Sequence, residues 1–262
     1  MATTRLTGWL DRTLTRVDER TEALATGEVT DENVADYRAR TARIAEKAAV
    51  GLLAVREAPD ESRRRFDTAM ELHGGAAEAG TDPLAERYYA LRAGTLAGAK
   101  QAVPGLARRL KRTADGTPLY ALDERGSLDR DYYLALAAGA LGDAPAADRA
   151  AGRFSASVLR LATAGFFETT TREERALYGG RSAVVEGVLS RDAEAVARGL
   201  ETVLAHHDGS AGGAPTELPC REATFLATVA TAAGLGEAVP DHEAVADPLV
   251  DARALPDGPR PV

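Results

Sequence analysis

The stretch "TDENVADYRARTARIAEKAAVGLLAV", Thr30 to Val55, decides the fold class. Its apolar and small residues Val34, Tyr37, Thr41, Ile44, Ala48, Leu52 and Val55 recur at spacings of three and four, the period of an amphipathic α-helix, and the faces between them carry Arg and Glu. The segment before it repeats the pattern, with Leu6, Trp9 or Leu10, Leu14, Val17, Thr21 and Leu24 on one stripe. Alternation with a period of two, the mark of a half-buried strand, is hard to find anywhere in the chain. The expected fold is all-α: antiparallel helical hairpins packed as a bundle or as a short, irregular α-solenoid.

Punctuation along the chain agrees with helices joined by short links. Asp60, Asp82 before Pro83, and Pro145 after Ala144 read as helix starts, because proline in the first turn loses no hydrogen bond. Thr171 and Glu174 have the spacing of a capping box, in which each side chain satisfies a free first-turn amide. Gly74-Gly75 and Asp208-Gly209 read as stops, and His73 beside the first of them as a C-terminal cap. The stretch from Thr113 to Ser127 reads as irregular, with room for a short extended piece around Leu119 to Leu122. Gly94, Gly139, Gly187 and Gly234 lie 45 to 48 residues apart near expected helix ends, a spacing that resembles a two-helix solenoid repeat. Residues 1–262 are expected to form a single helical domain. From about Val239 the chain is proline-rich, and a short helix from Asp241 is expected there, followed by a tail that either packs as an irregular strap or stays mobile.

Composition narrows the function classes. One cysteine permits no internal disulfide, and Asp11 and Arg12 interrupt the N-terminal segment where a signal peptide needs an apolar run; a cytoplasmic protein is expected. The net charge of -8 disfavours nucleic acid and anionic membrane as partners and favours a cationic one. The basic runs Arg63 to Arg65 and Arg108 to Arg112 read as solvated helix faces or helix ends. Of the 32 basic residues only Lys47, Lys100 and Lys111 are lysine, as a GC-rich genome or a salt-adapted host would produce.

The stretch "LAHHDGSAGGAPTELPCREA", Leu204 to Ala223, gathers His206, His207 and the sole cysteine, Cys220, with His242 further on. A zinc site needs about four ligands in closely spaced pairs, and two adjacent helical histidines diverge by about 100°. Metal binding is therefore not expected, and no cofactor motif appears. Cys220 follows Pro219 at an expected helix N-terminus, where the dipole favours a thiolate. The competing reading has Leu218, Cys220, Phe225 and Val229 on the core side of a buried helix, with an inert thiol. That reading is preferred, and no catalytic, cofactor or metal residue is assigned. An enzyme or metal protein built on Cys220, His206, His207 and His242 is the alternative.

The arrangement "VVEGVLSRDAEAVARGLETVLAHH", a polar loop, "REATFLATVATAAGLG" and a closing "VADPLVDARALP" resembles the C-terminal part of helical immunity proteins from polymorphic toxin systems, especially immunity family forty-nine. The similarity covers about the last third of the chain. It implies an all-α protein without cofactor that neutralises a toxin by direct binding, and the acidic balance would suit a basic toxin. A helical-repeat scaffold that binds another protein along a concave face is the remaining class.

Overall fold

The computed structural model describes residues 2–80, 82–163, 171–209 and 218–255. Ten α-helices and no strand occur among them: α1 (Ala2–Ala25), α2 (Asp31–Arg56), α3 (Pro59–Glu78), α4 (Pro83–Ala97), α5 (Val103–Gly116), α6 (Glu124–Ala140), α7 (Ala144–Thr163), α8 (Arg172–Ser190), α9 (Ala193–Gly209) and α10 (Arg221–Ala232). From α1 to α9 each helix packs on the next in sequence, so the chain is a row of antiparallel hairpins. The last helix, α10, departs from this order and lies against α9, α4 and α8. It closes the N-terminal hairpins against the C-terminal ones, and the segment 233–255 straps over it. Among the described residues no helix is long and apolar enough to cross a membrane.

Local chemistry explains several helix starts. Asp82 accepts from the Ala85 amide ahead of Pro83, Asp123 accepts from Gly126, and Thr171 with Glu174 completes the capping box in both directions. Leu10, Val17, Thr41, Ala48 and Leu52 from the two N-terminal stripes are buried. One core cluster continues from Val17 to Leu255 and holds the aromatic rings near its centre. There Tyr88 stacks on Tyr133 with centroids 4.1 Å apart, Phe225 meets Tyr88 edge-on, and Tyr132 leans on Phe154.

Several expectations are corrected. Helix α3 does not stop at Gly74-Gly75 but runs to Glu78. Arg38 of α2 lies against Gly75 and donates to its carbonyl oxygen at 3.3 Å, so the glycine makes room for that side chain instead of ending its helix. His73 is accordingly a buried mid-helix residue and not a cap. The segment 113–127 is helical to Gly116 and again from Glu124, with a 3-10 turn at Leu119–Ala121 where an extended piece was expected. No helix starts at Asp241: two 3-10 turns, Asp247–Leu249 and Ala252–Ala254, follow a turn set by the Val245 amide donating to the His242 carbonyl. The strap itself is real. The Cys220 amide donates to the Ala244 carbonyl at 2.7 Å, and the Ala246 amide to the Thr224 hydroxyl at 3.1 Å. Asp208 and Gly209, expected as a stop, are the last described residues of α9, and the Gly-rich connector 210–217 lies outside the described residues, as does 256–262.

The glycines proposed as a repeat are not equivalent. Gly94 and Gly187 lie inside helices at tight crossings, Gly234 turns with a φ of +80°, and nothing stands within 4 Å of where a Gly139 Cβ would be. The tightest crossing involves a different pair. A Cβ on Gly199 of α9 would stand 2.7 Å from the Gly180 carbonyl oxygen of α8, so these two backbones touch.

Candidate functional site

The charged residues are not confined to the polar faces. Glu46 of α2, Arg92 of α4 and Glu222 of α10 are buried, and they meet where α10 crosses the N-terminal hairpins. Arg92 donates through Nη2 to both oxygens of Glu46 at 2.9 Å and through Nη1 to Glu222 Oε2 at 3.1 Å. Glu222 also accepts from the Tyr88 hydroxyl at 2.7 Å, the Tyr132 hydroxyl at 2.8 Å and Arg181 Nε at 2.8 Å. Arg221 donates through Nη1 to Glu46. On the other side of Glu46, His73 lies with Nδ1 2.5 Å from Glu86 Oε2, and Arg43 donates to Glu86 Oε1 at 2.7 Å. Five helices, α2, α4, α6, α8 and α10, are thereby joined around two carboxylates.

Burial acts against any charge here, and pairing decides the outcome. For Glu46 and Glu222 desolvation alone would raise the pKa; the guanidiniums of Arg92 and Arg221 around the first, and of Arg181 and Arg92 around the second, outweigh it and hold both at about 2. The Tyr88 and Tyr132 phenols are pushed well above their ordinary range, by burial first and by the Glu222 charge next. Near neutral pH the cluster is thus a fixed arrangement of charges and phenols, with no group among these four poised to move a proton.

Beside this cluster a cleft of about 190 Å³ opens between α8, the end of α9 and the first turn of α10. Arg92, Arg181, Arg221 and Glu222 line it together with His206, His207 and Cys220. Tertiary folding therefore does bring together three of the four Cys/His candidates. His242 is not among them; its Nδ1 accepts from the Ala244 amide at 3.0 Å. His207 Nε2 lies 2.9 Å from the Leu218 carbonyl oxygen, which makes that nitrogen the donor. His206 is held below its ordinary pKa by desolvation and by Arg181. Cys220 caps α10, its sulfur accepting from the Ala223 amide at 3.4 Å, while burial pushes its thiol pKa up and away from a reactive thiolate. Among the described residues no group of three His, Cys, Asp or Glu side chains is placed to hold a metal ion.

Arg92, Arg181, Glu46 and Glu222 are the residues that reading by periodicity passes over, because it assigns every charge to a solvated face. The available signal is local. Glu222 sits in "LPCREATFLATVA" and Arg92 in "YYALRAGTLA", helices apolar on nearly every side, where a charge has no solvent to face and requires a partner. No family model, curated protein or solved structure matches this chain.

Proposed function

We propose that the protein is a non-catalytic binding protein of the cytoplasm, and that its partner is another protein: a toxin, basic in charge, that it neutralises by direct contact. The observation that carries the reading is the turn between α5 and α6. Tyr120 there is 93% exposed and Leu119 50%, and they are two of the three large apolar residues that the described surface exposes. A tyrosine with no partner of its own is the kind of residue that anchors an interface, since it brings a large, rigid contact area at low entropy cost. The net charge of -8 supports a cationic partner and disfavours nucleic acid. The fixed charge states of Glu46 and Glu222 and the raised thiol pKa support a role without chemistry. The similarity of the last third to toxin-neutralising immunity proteins supplies the partner class.

The test is to recover the native partner with tagged protein, express that partner alone, and measure whether co-expression restores growth. Rescue by the wild type, and binding weakened by about tenfold or more in Tyr120→Ala with unchanged thermal stability, is the expected result. A recovered partner that is harmless when expressed alone overturns the immunity reading.

A further inference from the structure

The cleft at the start of α10 has chemistry that a protein-docking role does not use. Its lining sets three guanidiniums against one carboxylate, Glu222. Glu46 and Asp129 answer part of that charge, the first bonded to Arg92 and Arg221 and the second 3.9 Å from Arg181 Nη1, but neither lines the opening. What the cleft offers is therefore a surplus of donors more than a surplus of charge. A guanidinium carries five N–H groups. Arg181 makes one hydrogen bond, through Nε to Glu222, and Arg221 makes one, through Nη1 to Glu46. Their remaining N–H groups have no acceptor from the described protein, although the Arg181 side chain is only 14% exposed. Deeper still, the Nε of Arg92, a side chain 8% exposed, is buried without a partner, as is Nδ1 of His206. Unanswered buried donors cost free energy unless something accepts from them.

The space suits more than one ordered water. A water requires about 10–15 Å³ of such volume, and the cleft provides about 190 Å³. The first turn of α10, from Cys220 to Glu222, forms one wall, which adds the positive end of a helix to the guanidiniums. Planar forks with free edges match the geometry of carboxylate and phosphate oxygens, with two parallel hydrogen bonds per fork.

We propose that this cleft binds a small oxyanion, the phosphate or carboxylate group of a soluble ligand, held by the free N–H groups of Arg181 and Arg221. The assignment does not depend on the protein-binding role, because the exposed turn at Leu119 and Tyr120 is not among the residues that line the cleft.

Titration calorimetry on the full chain at constant ionic strength tests it, with inorganic phosphate in one arm and succinate in the other. Saturable binding at one site per chain is expected in at least one arm, and the arm that binds identifies the group. Arg221→Ala, which removes the most exposed of the three forks, should weaken that binding by about tenfold or more. Arg198→Ala, on the outer face of α9 and paired only with Glu194, should leave it unchanged. If Arg221→Ala does not fold, the histidine ring resonances of the wild type decide: those of His206 and His207 should shift on saturation while those of His242 stay in place. No saturable binding of either anion, equal weakening by both substitutions, or binding that moves His242 and leaves His206 and His207 unmoved overturns the proposal.

Discussion

Replacing Glu222 by glutamine keeps the shape of the side chain and removes its charge, which isolates what the carboxylate does. In the native protein Oε2 accepts from Tyr88 and Arg92 and Oε1 from Tyr132 and Arg181. Glutamine has one accepting oxygen and an NH₂ group, so on one side two donors would face a third. As charge partners Arg181 would keep only Asp129, 3.9 Å away, and Arg92 only Glu46. Two routes give the size of the effect. The fall of the Glu222 pKa from 4.5 to about 2 amounts to about 3 kcal/mol of preference for the charged form. Removing one partner from a buried charged pair typically costs about 3–5 kcal/mol. Urea denaturation of Glu222→Gln is therefore expected to show about 3–5 kcal/mol less stability at unchanged slope, with a melting point lower by about 10 °C. Asp36→Asn, which breaks an exposed pair with Arg40, is the control and should lose under about 1 kcal/mol. If Glu222→Gln loses no more than the control, the cluster does not hold α10 against the N-terminal hairpins and the argument fails.

Three other outcomes are expected. Gly199→Ala should destabilise by about 1–3 kcal/mol or more, because its Cβ would meet backbone atoms of Gly180 and Val184 at 2.7 and 2.8 Å, while Gly179→Ala, with open space around it, should be neutral or stabilising; equal thermal shifts for the two would refute the α8–α9 contact. Stability should fall with acid: Glu46 and Glu222 have folded pKa values near 2, below 4.5 for the free group, so their contribution is complete above about pH 4.5 and is lost as pH falls toward 2. Chemical denaturation at pH 7, 4 and 3 checks this, and a stability that stays flat down to pH 3 would contradict it. Finally, Cys220 should react with a disulfide reagent only about as fast as the chain opens, and urea should speed the reaction by orders of magnitude; native-state labelling at the rate of a free thiol would show that the sulfur is neither buried nor raised in pKa.

The helices were legible in the sequence because periodicity is a local property: Leu10, Val17, Thr41 and Leu52 can be placed on a core face from a window of a few turns. The interior cluster was not, since its bonds join residues far apart in sequence, Tyr88 and Arg92 to Glu222 across 134 and 130 positions and Glu46 to Arg221 across 175. Gly75 misled for a related reason. A glycine that makes room for a neighbour's side chain and a glycine that ends its own helix look alike until the neighbour, here Arg38, is known. The Cys/His stretch shows the same limit from the other side. It marked the right place, because the end of α9 and the start of α10 do enclose a polar cleft, but the residues that give that cleft its character, Arg92 and Arg181, come from α4 and α8. A helix laid across a row of hairpins must bury its polar start as well as its apolar face. Here Glu222 is answered by guanidiniums whose other edges face the opening, so the contacts that fix α10 in place also furnish the cleft with unspent donors. Stability and binding capacity thus draw on the same arginines. Arg221, the most exposed of the three, bonds Glu46 and not Glu222, so its loss should weaken the anion while Glu46 keeps both of its bonds from Arg92.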